Sequence, residues 1–191
     1  MTILIIGLVL FLGIHSLSIV NEPLRNRMAQ SMGEWPFKGL YSVVSAAGLI
    51  AIIWGYSLAR LDPVALYNPP TGLRHLAMAL LIPAFPLLLS AYLPGRIKTT
   101  LKHPMLVAVK LWALAHLLAN GMAHDVLLFG SFLAWAVVDR ISLKRRQPRA
   151  NPALPATAMN DIIAVVAGLA LYAVFAMELH ARLIGVAPIA L

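Results

Sequence analysis

Six apolar stretches follow one another along this chain, each close to the length that a helix needs to cross a hydrocarbon layer about 30 Å thick. They cover residues 2–20, 39–59, 71–92, 103–121, 124–141 and 157–184. Within lipid every backbone polar group must find its partner inside the protein, so a continuous apolar run of this length folds as a helix. The expected fold class is therefore all-α, a polytopic integral membrane bundle of about six transmembrane helices. Breaker clusters punctuate it: Asn21-Glu22-Pro23, Asp62-Pro63, Asn68-Pro69-Pro70 and Pro94-Gly95. Pro148, Pro152 and Pro155 loosen the longest link. Composition agrees, since 61% of the 191 residues are hydrophobic and 12% charged, against about 45–50% and 25% in soluble domains.

The first stretch has no Lys or Arg before it and no A-x-A-like site after it, so it reads as an uncleaved span and not as a signal peptide. No internal repeat or low-complexity tract interrupts the chain, and residues 1–191 are expected to form one transmembrane domain. Pro83 and Pro86 fall inside the third stretch, where each removes a backbone hydrogen bond, and a kink is expected there.

The formal net charge is +8, and in a membrane chain that excess is a topology signal before it is a nucleic-acid signal. Arg25, Arg27 and Lys38 follow the first stretch, Arg96, Lys98 and Lys102 the third, and Arg140, Lys144, Arg145, Arg146 and Arg149 the fifth. The opposite side has Arg60, Arg74 and Arg182. The positive-inside rule then places the first set in the cytoplasm and both termini outside. Membrane lipid is the expected partner and nucleic acid is not.

Cysteine is absent, which excludes thiolate-ligated haem, iron–sulfur clusters and cysteine-type zinc sites. Six histidines remain as soft-metal ligands. The most informative segment is HPMLVAVKLWALAHLLANG, residues 103–121, where two histidines and a lysine sit in an otherwise apolar span. Ionisable groups at membrane depth are costly and mark ligands, ion paths or relays. His103 and Lys110, seven residues apart, share one helix face, and His116 lies on another with Trp112 and Asn120. Ala113 and Ala119 beside His116 leave room for a flat ligand, and Trp112 offers an aromatic wall. The competing reading of His116 is an interhelical hydrogen bond.

His15, in GIHSLS, lies near the end of the first stretch among small residues. His75 follows the Pro70-Thr71 start of the third, and His180 ends the sixth; both read as solvated positions near the outer interface. His103 enters its helix ahead of Pro104. His124 opens the fifth beside Asp125 and also reads as solvated. Lys110 either neutralises a carboxylate or porphyrin propionate or snorkels to the headgroups. Glu178 is a further candidate for a buried charge. No H-E-x-x-H, G-x-S-x-G, Walker or G-x-G-x-x-G pattern is present, so hydrolase, NTPase and dinucleotide readings have no support.

The blocks GIHSLSIV, GLYSVVSAAGLIAIIWGY, PPTGLRHLAMALLIPAF, AYLPGRIKTTLKHPMLVAVKLWALAHLLANG, LLFGSFLAWAVVDRISLKRR and LHARLIGV, spread along nearly the whole chain, resemble the NnrU family of bacterial membrane proteins. That family is named for its association with nitric oxide and nitrite reductase genes, and it is similar to the plant 15-cis-zeta-carotene isomerase, a haem b enzyme. The resemblance implies a haem b cofactor with His15 and His116 as iron ligands; with the residue reading above, Trp112 and Lys110 join the expected cofactor-binding set, and the expected location is the bacterial inner membrane. The isomerase has a cysteine three residues before its second histidine; here Ala113 stands there, and a thiolate exchange on that pattern is excluded. Helix direction adds a geometric alternative. At 1.5 Å per residue His15 lies about 20 Å and His116 about 10 Å below the outer surface, so His75 is a second candidate partner, with His103 and His180 as further alternatives.

The expectation is a histidine-ligated haem b protein in nitrogen-oxide metabolism, redox-active, with a small gas or polyene ligand and a redox partner. Two other readings stay open. One is a haem-dependent cis–trans isomerase of carotenoid-like polyenes, and the other a non-enzymatic assembly or transport partner whose histidines bridge helices.

Overall fold

Each of the six apolar stretches is helical over nearly all its length in the computed structural model, which describes residues 1–146 and 154–188. Pro148, Arg149 and Pro152 lie outside the described residues. Four stretches are long and apolar enough to cross a membrane: Thr2–Val20, Glu34–Ala59, Thr71–Tyr92 and Ala158–Ile184. Of the other two, Pro104–Ala119 is apolar but has 16 residues. Ala123–Ser142 has 20 residues but carries Asp125 at one end and Asp139 and Arg140 at the other. In the four long helices only 11–22% of the apolar window is buried. Ile5, Ile6, Val9, Ile50, Ile53, Trp54 and Val166 stay on the outside, an apolar surface of the kind that suits lipid rather than water.

The helices gather into two compact units, one from Met1–Pro69 and Ala119–Pro148, the other from Pro70–Leu118 and Arg149–Leu191, over their described residues. In the first unit α1 (Thr2–Val20) packs along α3 (Glu34–Ala59), and α8 (Ala123–Ser142) lies against α1. Glycines set the closeness of α1 and α3. A Cβ on Gly48 would stand 2.7 Å from the Phe11 nitrogen, one on Gly7 would stand 2.5 Å from the Ile52 nitrogen, and one on Gly55 would overlap the backbone of Leu4. Without side chains there, the two backbones meet, and dispersion contacts replace the hydrophobic drive that lipid does not provide. Leu4, Leu8, Ile52 and Ala59 are buried along this seam.

Asn21-Glu22-Pro23 does end α1, but a second helix starts at once: α2 (Glu22–Met32), with the Asn21 side chain accepting from the Leu24 N–H at 2.9 Å and Pro23 in the first turn. The breaker is also an N-cap. A loop closes the unit, because Gly121 O accepts from Leu66 N and Val64 O accepts from Ala123 N, at 2.9 and 2.8 Å.

In the second unit the expected kink is a break. The third stretch divides into α4 (Thr71–Leu81) and α5 (Ala84–Tyr92) at Pro83. The Ile82 N–H bonds Ala79 O, three residues back, at 3.3 Å. Met78 O accepts instead from the Tyr172 hydroxyl of α9 (Ala158–Val174) at 2.9 Å. This is how a membrane helix carries proline: a neighbour satisfies the backbone group that the break releases. Gly168 lets α9 reach Pro86, whose Cα would lie 2.5 Å from an added Cβ. The short helix α6 (Arg96–Leu101), which the sequence pattern does not announce, is capped by Asp161; its carboxylate accepts from Arg96 N at 2.7 Å and Ile97 N at 3.1 Å. Helix α7 (Pro104–Ala119) completes the unit with the C-terminal part of the sixth stretch. There α9 passes into a π-helical turn, Phe175–Leu179, and then into α10 (His180–Ile184).

Candidate functional site

His116 and His180 come together in the second unit. Their ring centroids are 6.4 Å apart and the ring planes are inclined by 23°. On α7 the His116 Nδ1 contacts Trp112 O, one turn back, at 2.8 Å. A carbonyl only accepts, so Nδ1 carries a proton and donates. At His180 the same state arises by other means. Gly185 adopts φ +77° at the end of α10, a left-handed cap that glycine takes without strain. The chain reverses there and the Val186 carbonyl returns to within 2.7 Å of His180 Nδ1.

The π-helical turn contributes to the placement of His180. One extra residue in a turn rotates all that follows by about 100°. Phe175, in that turn, meets the His180 ring edge-on at 5.7 Å and packs on Phe85 at 5.6 Å. Trp112 lies against His116, with centroids 5.4 Å apart. The solvated position expected for His180 is therefore corrected: the ring is half-buried among aromatic neighbours. Ala113 is fully buried, so the space expected beside it is filled by surrounding chain.

His15 belongs to the first unit. Its Nδ1 donates to Phe11 O at 2.7 Å, and its ring stacks on Phe11 at 4.3 Å, with Tyr41 at 5.1 Å and Trp135 at 6.0 Å edge-on. Trp135 Nε1 and Ser45 Oγ are buried without a hydrogen-bond partner. His75 is exposed on the first turn of α4, as its position after Pro70 implies. His103 enters α7, and its carbonyl accepts from Leu106 N and Val107 N at 3.1 and 3.3 Å. Lys110 is half-buried on α7.

Two further expectations are corrected. His124 is buried, not solvated, at 5% exposure. It lies in a cluster that the sequence does not announce. Asp125, 4% exposed, accepts from the Tyr56 hydroxyl at 2.6 Å and stands 3.6 Å from His124 Nε2, with the His124 and Tyr56 rings edge-to-face at 5.2 Å. Tyr56 and Asp125 are 69 positions apart and no local spacing links them. Glu178, expected as a buried charge, is an exposed residue paired with Arg182 one turn on. Outside the spans, Tyr67 donates to Asn120 O at 2.8 Å, and partial burial holds its phenol above the ordinary value of 10.

Among the described residues no group of three or more His, Cys, Asp or Glu side chains forms a metal cluster.

No curated protein and no solved structure matches the chain. A family model described as NnrU protein matches residues 3–188, nearly the entire length. The chain, all-helical in its described residues and with four helices long and apolar enough to cross a membrane, belongs to the NnrU family.

Proposed function

We propose that this protein is a histidine-ligated haem b protein of the bacterial inner membrane that acts in nitrogen-oxide metabolism. Family membership supports the physiological setting. The observation that carries the cofactor reading is the shared state of His15, His116 and His180. Each has its Nδ1 within 2.7–2.8 Å of a backbone carbonyl, which fixes the ring in the way that the carbonyl partners of metal-ligating histidines do. The residues fit the group: a b-type haem would be held by imidazole within an apolar, aromatic lining, and Trp112, Phe85 and Phe175 would provide such a lining in the second unit.

Haem, if bound, would supply an iron centre for one-electron exchange and for binding a small gas such as nitric oxide. The chain's own residues do the rest. The carbonyls of Phe11, Trp112 and Val186 orient the imidazoles and raise their basicity. Lys110, with a redox partner at the cytoplasmic face, is the cation suited to a carboxylate of the cofactor. In this reading all six stretches cross the membrane in one domain, both termini face outward, and the basic clusters meet the anionic cytoplasmic leaflet.

Purification in detergent after expression with haem available tests the proposal. A Soret band that shifts on reduction and again on nitric oxide addition is expected, with an alkaline pyridine spectrum of b type. A colourless protein would refute it.

A further inference from the structure

We propose that a cleft at one end of the first unit holds the headgroup of a zwitterionic, amine-bearing phospholipid, with the phosphate on Arg145 and Arg146 and the ammonium on Glu22. The proposal goes beyond the cofactor reading and does not depend on it. The cleft has a volume of about 330 Å³ and lies between the end of α1 with the start of α2 on one side and the end of α8 on the other. Sites for small molecules occupy roughly 300–1,000 Å³.

Both walls change character along their length. On the α8 side the lining residues Val138, Ile141, Ser142, Arg145 and Arg146 recur at i, i+3, i+4, i+7 and i+8, the spacing of one helix face. Turn hydrogen bonds from Arg145 N and Arg146 N to Ser142 O, at 2.9 and 3.2 Å, carry that face past the end of the helix. It is apolar at the exposed Val138 and Ile141 and cationic at its end. The opposite wall goes from Ile19 to Glu22. The two walls run in the same direction, because Phe11 meets Phe132 and His15 meets Trp135 one after the other along α1 and α8. A shared passage from apolar to charged matches an amphiphile, tail first and head last, whereas a soluble anion has no use for the apolar half. Depth agrees. Trp35, 82% exposed, and Lys38, 5.4 Å from its ring centroid, stand at the start of α3, which α2 joins to the end of α1; aromatic and cationic anchors mark the membrane–water interface.

Charge balance selects the headgroup. Arg146 is paired with Asp139, and each of these side chains is 14% exposed, so its guanidinium is held in place. Two arginines set against Asp139 and Glu22 give the site no net charge. A cleft built for an anionic lipid would carry an excess of cations; here a half-buried carboxylate, Glu22, lines the other wall. A headgroup that carries both signs is complementary to both walls. Guanidinium groups bind phosphate oxygens in a two-pronged manner, and a primary ammonium donates N–H to a carboxylate.

Native mass spectrometry of the full-length protein in detergent tests the assignment, with phosphatidylethanolamine, phosphatidylcholine or phosphatidylglycerol added at equal concentration. Wild type should retain one phosphatidylethanolamine about tenfold more tightly than either of the others, the worth of one charge-assisted hydrogen bond. Phosphatidylcholine has no N–H to give Glu22, and phosphatidylglycerol has no cation. Arg145→Gln should weaken the retention of all three. Glu22→Arg should turn the preference towards phosphatidylglycerol, a gain that a damaged fold would not produce. Arg27→Gln, an exposed basic change outside the cleft, should bind as wild type does. Equal retention of the three lipids by wild type, a wild-type preference for phosphatidylglycerol, no retained lipid, or a preference unmoved in Glu22→Arg would each overturn the proposal. A colourless preparation that keeps the preference for phosphatidylethanolamine would refute the cofactor reading and leave the lipid site standing.

Discussion

Tyr172 shows how a single side chain is matched to a defect elsewhere in its unit. Its hydroxyl donates to Met78 O at the point where Pro83 breaks the third stretch. Tyr172→Phe should leave that carbonyl without this donor, and the cost is about 1 kcal/mol, the usual net worth of one such bond. It should appear as a lower melting temperature in detergent with the spectrum of any bound cofactor unchanged; an unaltered melting temperature would show the bond to be dispensable. Asp161 has a comparable role, because its carboxylate caps α6 from the start of α9. Gly95 makes the approach feasible, since a Cβ there would collide with the carboxylate.

At the scale of helices, the contact of α1 with α3 depends on the absence of side chains. Gly55 sits over the backbone of Leu4, so Gly55→Val forces α3 away from α1 and opens the seam that buries Leu4 and Ile52. Overpacking of this kind typically costs about 1–3 kcal/mol, and backbone contact on the opposing side puts this case at the upper end. The expected result is reduced yield of folded protein and a clearly lower thermal midpoint. Gly13, with open space at its Cβ, is the control: Gly13→Ala should match wild type. Failure of Gly55→Val to differ from Gly13→Ala would refute the role given to this seam.

At the scale of the whole molecule, topology is open to direct measurement because the chain has no cysteine. Single cysteines at exposed positions can be read one at a time: Ser31→Cys on α2, Asp62→Cys in the loop after α3 and Thr100→Cys on α6. With the basic clusters inside, a membrane-impermeant maleimide should label Asp62→Cys in intact spheroplasts, and Ser31→Cys and Thr100→Cys only after lysis. The opposite pattern would invert the proposed orientation. Labelling of all three from outside would rule out the proposed crossings.

The residues alone determine a great deal here. Runs of about 20 apolar residues between proline clusters leave the backbone no choice but helix, and the observed helix ends fall within a few residues of those runs, apart from the earlier start of α3 at Glu34. Proline at 83 likewise breaks its helix wherever that helix sits. Tertiary structure decided what one-dimensional spacing cannot carry. His124 and Asp125 read as a helix end open to water, yet Tyr56, 69 positions from Asp125, meets them in the interior. His180 reads as a solvated terminus, yet a π-helical turn, a left-handed glycine and a partner 64 positions away give it an orientation. Helix formation follows from local hydrogen bonding and the apolar period, both written in adjacent residues. The meeting of two imidazoles depends on how separate helices pack, and that is settled only when glycine seams and proline breaks have set their distances and turns.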